Sequence, residues 1–424
     1  MFDIGPHTET KSRADIYAQV LWVTPQVMTC IGRLCQPLSR ISCHFEKLIT
    51  LGSDGPNVNK SVWNKFNAEK KKVTGKGMLN IGTCNIHIIH NAFLKGLQVF
   101  GEESSDFVIL VHSFFDGWPA RCEGYRKCQK KVRVPENAFM KLVPSRWLTI
   151  GHALARIMQQ WPAILEYFLN FVPREKKLKN LLSTPKFLKI VAYIKSATMK
   201  AQLEFVLASA ELFMSFTQLF QKEEPLIHVL HSEIKRLVVT LCGRVCTPDF
   251  VTETENFSPE MLNLAEKFAE KPIVSENVER AFGEKATLKD KAIFYVNVRK
   301  HFIAGIRHIL NKCPLEKDGF LEALRCLSPI NMKDSRSIAD RAVVAREIAI
   351  GVSSDVAQAE WLLLRTETGP REDITRINHF WSHYLGLVNE RGDSKYPELT
   401  KLIKAVLTLP HGSADVERGF LHSG

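Results

Sequence analysis

The sequence predicts an α/β part joined to a large all-α insertion. Two short apolar runs, 46–53 and 78–83, have the length of strands, and helical spacing of apolar residues follows each of them. The middle of the chain, by contrast, carries apolar residues at helical spacing over long stretches, as in 186–222. These patterns divide the chain into an irregular N-terminal segment (1–45), a partial α/β core (46–150), a helical insertion (151–350) and a C-terminal region (355–424).

The first α/β elements surround an acidic turn. Residues 46–53 predict a strand that ends at Asp54, and Asp-Gly-Pro predicts a turn there because glycine relaxes the backbone and proline restricts it. A helix follows that ends in a lysine triplet, where cations favour the negative end of the helix dipole. Met78 to Thr83 predicts a second strand, and Asn85 to Phe100 predicts the next helix.

The C-terminal region predicts three amphipathic helices and an acidic helix start. The helices begin near Asp355, at His379 and at Tyr396, and Pro410 ends the third. Ser413 is a suitable N-cap for a further helix that carries Glu417 in its first turn.

Composition indicates an intracellular globular protein without a membrane span. The chain has 424 residues, and its most apolar stretch, 203–220, is broken by polar side chains, so no run reaches the roughly 20 apolar residues that a bilayer requires. The ten cysteines are scattered, which favours a reducing compartment over a disulfide framework. The N-terminus lacks the pattern of a secretory signal, and we expect a nuclear location.

The net charge of +12 indicates a polyanionic partner, because each phosphate contact releases condensed counterions. The alternative is that these charges only keep helix faces solvated. The candidate nucleic-acid contacts are Lys70, Lys71, Lys72, Lys76, Lys130, Lys131 and Arg133, and Arg126, Lys127, Arg174, Lys176, Lys177 and Lys179 extend the basic clusters.

Asp54 and Glu417 are the candidate ligands of a divalent metal ion. Phosphoryl transfer on DNA commonly uses two such ions held by carboxylates, and Mg²⁺ takes oxygen ligands from separate elements. Each residue also has an ordinary interpretation, since Asp-Gly-Pro is a common turn and a glutamate at a helix start stabilises the dipole.

Two other motifs have a structural interpretation beside a functional one. Cys84 and His87, with His90 nearby, have a spacing found at zinc sites, but a structural site needs four ligands and no second pair is evident. A strand end and helix start inside the core is the simpler interpretation. Arg146 and Trp147 follow a turn, and Trp147 is either a core anchor or a surface on which a base stacks.

Taken in order, four runs resemble the hAT superfamily of DNA transposases. They are Ser-Asp-Gly-Pro-Asn-Val-Asn-Lys (53–60), Ile-Gly-Thr-Cys-Asn-Ile-His-Ile-Ile-His-Asn-Ala-Phe (81–93), Ser-Arg-Trp-Leu-Thr (145–149) and Leu-Pro-His-Gly-Ser-Ala-Asp-Val-Glu-Arg-Gly-Phe (409–420). The resemblance covers roughly 46–420.

The resemblance implies an incomplete ribonuclease-H-like core with a helical insertion domain, completed by a C-terminal segment that also dimerises. Asp54 resembles the second catalytic aspartate of the family and Glu417 its catalytic glutamate. Cys84 and His87 resemble its Cys-x-x-His pair, and Trp147 resembles its motif tryptophan beside the site. The homodimer through 355–424 is likewise implied by the family.

The chain departs from the family pattern in three ways. Asp3 and Asp15 are the aspartates of 1–45, and neither follows a strand-like run that would supply the first catalytic aspartate. The spacing of an N-terminal zinc finger is absent, and the sequence stops at Gly424, soon after Glu417. We therefore expect a transposase-derived protein shortened at both ends and without independent catalysis, which associates with DNA and with itself.

Two alternatives stay open at this point. One is an active metal-dependent transposase or nuclease, with Mg²⁺ as cofactor, whose first aspartate comes from Asp3, Asp15 or a partner chain. The other is a helical protein-interaction scaffold whose charge serves solubility alone.

Overall fold

The computed structural model describes most of the chain and is mostly helical, with few residues in strands. This confirms the large all-α portion that the sequence predicts. The described residues are 19–22, 48–52, 57–142, 149–222, 224–254, 257–263, 265–313, 315, 319–348, 351–369 and 376–412.

The elements follow one another in chain order with short connections. The strands are β1 (Gln19–Trp22) and β2 (Leu48–Gly52). The helices are α1 (Asn57–Thr74), α2 (Asn85–Val99), α3 (Glu102–Phe115), α4 (Pro119–Lys131), α5 (Thr149–Gln159), α6 (Trp161–Leu165), α7 (Val172–Arg174), α8 (Pro185–Lys195), α9 (Met199–Phe220), α10 (Ile227–Cys242), α11 (Pro248–Glu253), α12 (Glu276–Arg280), α13 (Leu288–Lys312), α14 (Phe320–Ala323), α15 (Ser337–Ile348), α16 (Ser354–Leu364), α17 (Ile377–Leu385) and α18 (Pro397–Leu407). A π-helical segment, Glu166–Phe171, and several short 3₁₀ segments join them.

The chain forms two compact units, and one of them is discontinuous in sequence. Unit 1 combines 1–83 and 318–424 with the short segment 223–230, and unit 2 contains 84–222 and 231–317. The sequence analysis assigned 84–150 to the partial core, whereas the contacts group these residues with the helical unit.

Unit 1 begins with a parallel pair of strands. β1 lies beside β2 in parallel register, with Leu21 opposite Leu51, although no strand was expected in 1–45. The predicted strand 78–83 is not assigned as one, but the Leu79 amide donates to the Ile49 carbonyl at 2.8 Å, so this segment follows the edge of β2. Apolar side chains of β2 and α1 make the local core, which consists of Leu48, Leu51, Phe66 and Met78 with Val62 and Trp63 packed against it.

The C-terminal helices of unit 1 pack around two buried tryptophans. Trp361 and Trp381 are fully buried and stack with ring centroids 6.0 Å apart. Each indole finds an acceptor, Ser337 Oγ at 3.3 Å for Trp361 and the Leu327 carbonyl at 3.0 Å for Trp381. Because both N–H groups are satisfied, the rings can fill the core without an uncompensated polar atom.

Unit 2 depends on the close approach of α2 and α13. A Cβ atom on Gly96 would lie 2.8 Å from the His301 carbonyl, and one on Gly305 would lie 3.2 Å from the Ala92 carbonyl. The two helices therefore meet backbone to backbone, which only small residues at the crossing permit.

Helix α9 is the one described helix with the length and apolar composition of a membrane span. Half of its most apolar window is buried inside unit 2, as is typical of a core helix. A single helix of this kind is weak evidence, so no membrane protein is indicated.

Candidate nucleic-acid interface

The two acidic motifs lie outside the described residues. Asp54 belongs to the link between β2 and α1, Glu417 follows α18, and Arg146 with Trp147 precedes α5. Within the residues that the structure describes, no group of three or more His, Cys, Asp and Glu side chains is arranged to hold a metal ion. The predicted Mg²⁺ site, with Asp54 and Glu417 as ligands, therefore stays a prediction.

Cys84 and His87 lie at the start of α2. Cys84 is the N-cap residue and is 3% exposed, and its carbonyl accepts the Ile88 amide at 3.1 Å. His87 is half-buried in the first turn, and His90 is buried and lines a mostly apolar cavity of about 200 Å³. Both motif residues thus help to begin a core helix of unit 2.

The first basic cluster is partly engaged with the backbone. Lys70 Nζ donates to the Leu48 carbonyl of β2, and burial, followed by the nearby Lys76 charge, lowers the pKa of Lys70. Lys76 Nζ lies 2.8 Å from the Arg346 carbonyl at the end of α15, where a cation compensates the helix dipole.

The two other lysines of this cluster lie on the exposed surface of α1. Lys71 is exposed, and Lys72 pairs with Glu69 at 2.7 Å. Of the four predicted contacts on this cluster, Lys70 and Lys76 therefore have a structural role that competes with phosphate binding.

The second basic cluster projects from α4. Arg126 and Lys127 are exposed on this helix, and the Lys130 and Lys131 side chains are 69% and 62% exposed. Short amphipathic packing holds the helix in place, because a Cβ on Gly124 would lie 2.7 Å from the Phe171 ring of the π-helical segment. This contact brings the segment against α4.

Glu166 joins the second cluster to the third. Its carboxylate accepts a hydrogen bond from Lys131 Nζ at 2.6 Å, and Asn170 donates a second at 3.0 Å. The pKa of Glu166 is lowered by the Lys131 hydrogen bond first and also by the Asn170 bond and the charges of Lys131 and Arg174. Arg174 therefore lies beside the end of α4, although 40 residues separate them in sequence.

The two clusters together make one surface, here called the basic surface. Its members are exposed cations of unit 2, namely Arg126, Lys127, Lys130, Lys131, Arg133, Arg174, Lys176, Lys177 and Lys179. Glu123, Glu136 and Glu166 pair with individual lysines at distances of 3.3, 3.5 and 2.6 Å, but the cations outnumber these carboxylates, so the surface keeps a net positive charge.

Arg133 has the most unusual backbone conformation of the basic surface. Its φ of 59° is the one positive value among the described non-glycine residues. The Val134 amide donates to the Gln129 carbonyl at 3.1 Å, and the Arg133 amide donates to the Lys130 carbonyl at 3.2 Å. This pair of bonds is the Schellman motif, and Arg133 occupies the left-handed position that glycine usually takes.

A buried amide network fixes the turn that follows Arg133. Gln129 is 1% exposed, and its Nε2 donates to the Asn137 carbonyl at 2.9 Å and to Gln160 Oε1 at 2.7 Å. Tyr125 donates to the same Gln160 oxygen at 3.1 Å. The end of α4 is therefore rigid, and its strained residue is held by the surrounding structure.

A cleft of about 310 Å³ lies beside the basic surface, between the end of α3, helix α4 and residues 136–139. Phe115, Tyr125 and Phe139 form one aromatic cluster along it, and Arg126 lies at its edge. Aromatic faces next to a cation are the elements that bind unpaired bases. The cleft therefore adds a possible base contact to the phosphate contacts of the basic surface.

Sequence reasoning did not find the contribution of Glu166. It lies within a long helical stripe and carries no motif, so the one available signal is a carboxylate between two basic clusters. No family model matches this chain, and the search of curated proteins found no match either.

Proposed function

We propose that this protein associates with nucleic acid through the basic surface of unit 2. One observation carries the proposal, which is that Arg133 holds a cation in a backbone position better suited to glycine. The left-handed conformation costs an L residue about 1–2 kcal/mol, and a glycine at the same position would avoid this cost. A charge retained at such a site in an exposed, rigid turn is explained by what the charge binds.

Phosphate binding follows from the arrangement of the cations. Lysine and arginine side chains along α4 and the segment after Arg174 present donors to a polyanion that is longer than a single contact. Each neutralised phosphate of a duplex releases counterions and adds about −0.9 to the slope of log K against log salt. We expect weak sequence preference, because contacts to phosphate carry no sequence information.

Variants of Arg133 separate binding from folding. Arg133→Gly removes both the charge and the strain, and glycine returns part of the gain through its freedom in the unfolded chain, so the net stabilisation is up to about 1 kcal/mol. Arg133→Lys keeps both the charge and the strain. The proposal therefore predicts that Arg133→Gly weakens DNA binding while the protein becomes no less stable.

The test uses fluorescence anisotropy with a labelled duplex and a labelled single strand over a series of salt concentrations. A triple variant, Arg126→Gln with Lys130→Gln and Arg133→Gly, leaves the Lys131–Glu166 pair intact and should lower the salt slope by about 3. Lys285→Gln removes an exposed charge elsewhere in unit 2 and is the matched control. Wild-type retention by the triple variant, or no binding by the wild-type protein, would refute the proposal.

The family origin is part of the same proposal. We propose that unit 1 corresponds to the incomplete ribonuclease-H-like core of a hAT transposase and unit 2 to its helical insertion. Two observations support this: the parallel pair β1–β2 directly precedes the Asp54 motif, and unit 1 combines residues from both ends of the sequence. A transposase core interrupted by an insertion has this discontinuous organisation.

Catalysis is not included in the proposed function. A two-ion site needs several carboxylates, and Asp54 and Glu417 are the two that the family resemblance supplies. We expect no metal-dependent nicking of plasmid DNA in the presence of Mg²⁺. Nicking that is lost in both Asp54→Asn and Glu417→Gln would instead support the active enzyme.

Self-association through the C-terminal region completes the proposal. Helix α16 exposes Val356 and Leu363, two turns apart on one face, with exposed fractions of 46% and 49%. A second copy of the chain would cover this apolar stripe. We expect a dimer mass by light scattering for the wild-type protein and a monomer for Val356→Glu with Leu363→Glu, whereas a monomeric wild-type protein would refute this part.

A further inference from the structure

The end of helix α10 brings two cysteines together in the interior of unit 2. Cys242 is the last residue of the helix, and the chain turns so that the Cys246 amide donates to the Cys242 carbonyl at 2.7 Å. The Cys242 thiol donates a hydrogen bond to the Cys246 sulfur. The two residues are 0% and 3% exposed, so the sulfurs meet away from bulk solvent.

The backbone around Cys246 holds this arrangement. Cys246 forms an isolated antiparallel bridge with Phe268, and the amides of Thr247 and Ala269 extend the pairing with bonds of 2.9 Å each. The pairing fixes the position of Cys246 relative to α10. A bond between the two sulfurs would close a very short loop without moving either backbone segment far, within the narrow range of separations that a disulfide accepts.

Arg299 supplies a positive charge to this pair. It donates to the Glu270 carbonyl at 2.9 Å, and its guanidinium lies 5.7 Å from the centre of the Phe268 ring. The pKa of Cys246 is lowered by the Cys242 hydrogen bond first and by the Arg299 charge, against the opposing effect of burial. The same contact raises the pKa of Cys242. Cys246 is therefore the nucleophile of the pair, and Cys242 is the thiol that resolves its oxidised form.

We infer that Cys242 and Cys246 are a redox-active dithiol, which a small peroxide such as hydrogen peroxide converts to an internal disulfide. The Cys246 thiolate attacks one peroxide oxygen, the O–O bond breaks, and the released hydroxide takes a proton to become water. The Cys242 sulfur then attacks the Cys246 sulfenic acid, and the sulfenic oxygen leaves as a second water with the Cys242 proton. Two thiols are oxidised and one peroxide is reduced.

The alternative is that the two cysteines are inert apolar core residues, as buried cysteines often are. Other thiols in the chain allow a matched comparison. Burial raises the pKa of Cys313 to about 12, and Cys122 is half-buried on α4. If exposure alone decides oxidation, Cys122 should react first, whereas the dithiol predicts that Cys242 and Cys246 are consumed together.

Trypsin makes the bridge easy to detect. Cleavage after Arg244 separates the two cysteines into the peptides 237–244 and 245–267, so these peptides stay joined only through a disulfide. After brief treatment of the folded protein with hydrogen peroxide and alkylation of free thiols, we expect the joined pair, which a reductant separates. Two alkylated peptides with no joined product at peroxide levels that already oxidise Cys122 would overturn the inference.

Two further measurements keep the result independent of any folding defect. Cys242→Ser should leave a sulfenic acid on Cys246 that dimedone traps, whereas Cys246→Ser should leave Cys242 reduced. In the wild-type protein, phenylarsine oxide, which binds paired thiols, should protect both cysteines from alkylation and leave Cys122 reactive. Equal alkylation of Cys242 with and without this reagent would also overturn the inference.

Discussion

Acidification should destabilise unit 2 through His301, which lies in the contact between α2 and α13. His301 is 1% exposed, and its two ring nitrogens lie 2.9 Å from Ser209 Oγ and 2.9 Å from the Phe100 carbonyl. Because a carbonyl oxygen only accepts, Nδ1 donates to Phe100 and Nε2 accepts from the Ser209 hydroxyl, so the ring is neutral. Burial lowers the pKa of His301 from 6.5 to about 4.

The direction and size of the effect follow from this pKa. The unfolded chain binds a proton below its ordinary pKa, whereas the folded chain does so only below about 4, so stability is complete above pH 6.5 and falls as the pH decreases. The loss approaches about 3 kcal/mol below pH 4, and between pH 7.5 and pH 5 it amounts to about 2 kcal/mol.

Urea unfolding at pH 7.5 and pH 5 measures this loss when the wild-type protein is compared with His301→Gln. Glutamine fills part of the site and does not titrate, so the variant should start less stable but lose about 2 kcal/mol less on acidification. The comparison cancels the contributions of carboxylates and of other histidines such as His228, whose burial lowers its pKa to about 4. Hydrogen exchange in α2, α9 and α13 reports on unit 2 alone.

The exposed residue His152 provides the control, since His152→Gln should leave the pH dependence unchanged. A His301→Gln protein with the full pH dependence of the wild type would mean that His301 is not held neutral by the core, and the reasoning would be refuted.

Three further predictions concern stability. Gly96→Ala should cost about 1–3 kcal/mol by urea unfolding, because its Cβ would press on the His301 carbonyl, whereas Gly243→Ala, with its nearest atom at 3.4 Å, should cost less, and equal losses would contradict this account. Lys76→Met should lower stability by about 0.5–1 kcal/mol and increase amide exchange at the end of α15, and unchanged exchange there would argue against the cap. Glu360→Ala should cost about 1–3 kcal/mol, because the buried carboxylate accepts two amides at the start of α18, with the shorter bond at 2.7 Å; Glu360→Gln keeps an acceptor and should cost less, and the reverse order would be inconsistent with this role.

Helical spacing predicted the all-α portion well because it depends on local periodicity. The stripe that begins near Ile150 does form helices, and the interruption at Pro162 coincides with the start of α6. The strand β1 was missed, since four residues in a segment with no clear alternation carry too little local signal. Its pairing with β2 is a tertiary contact, and only the parallel register reveals it.

The candidate interface shows the same division. The sequence identified Lys70 and Lys130 as equivalent members of basic clusters, because side-chain type is all that composition records. In the structure Lys70 donates to the β2 backbone, whereas the Lys130 side chain is 69% exposed. Which cations meet a phosphate depends on where the chain buries them.

The sequence by itself determined the excess of positive charge, the helical periodicity and the order of the acidic, cysteine and basic motifs along the chain. These properties depend on residue types and on spacing within a few turns. Only the tertiary structure decided that Arg174 lies beside Lys131 through Glu166, that Arg133 takes a left-handed turn and that Cys242 contacts Cys246. Each of these results from packing between separate segments or from the way a helix ends, and local patterns of residue types do not encode such distances.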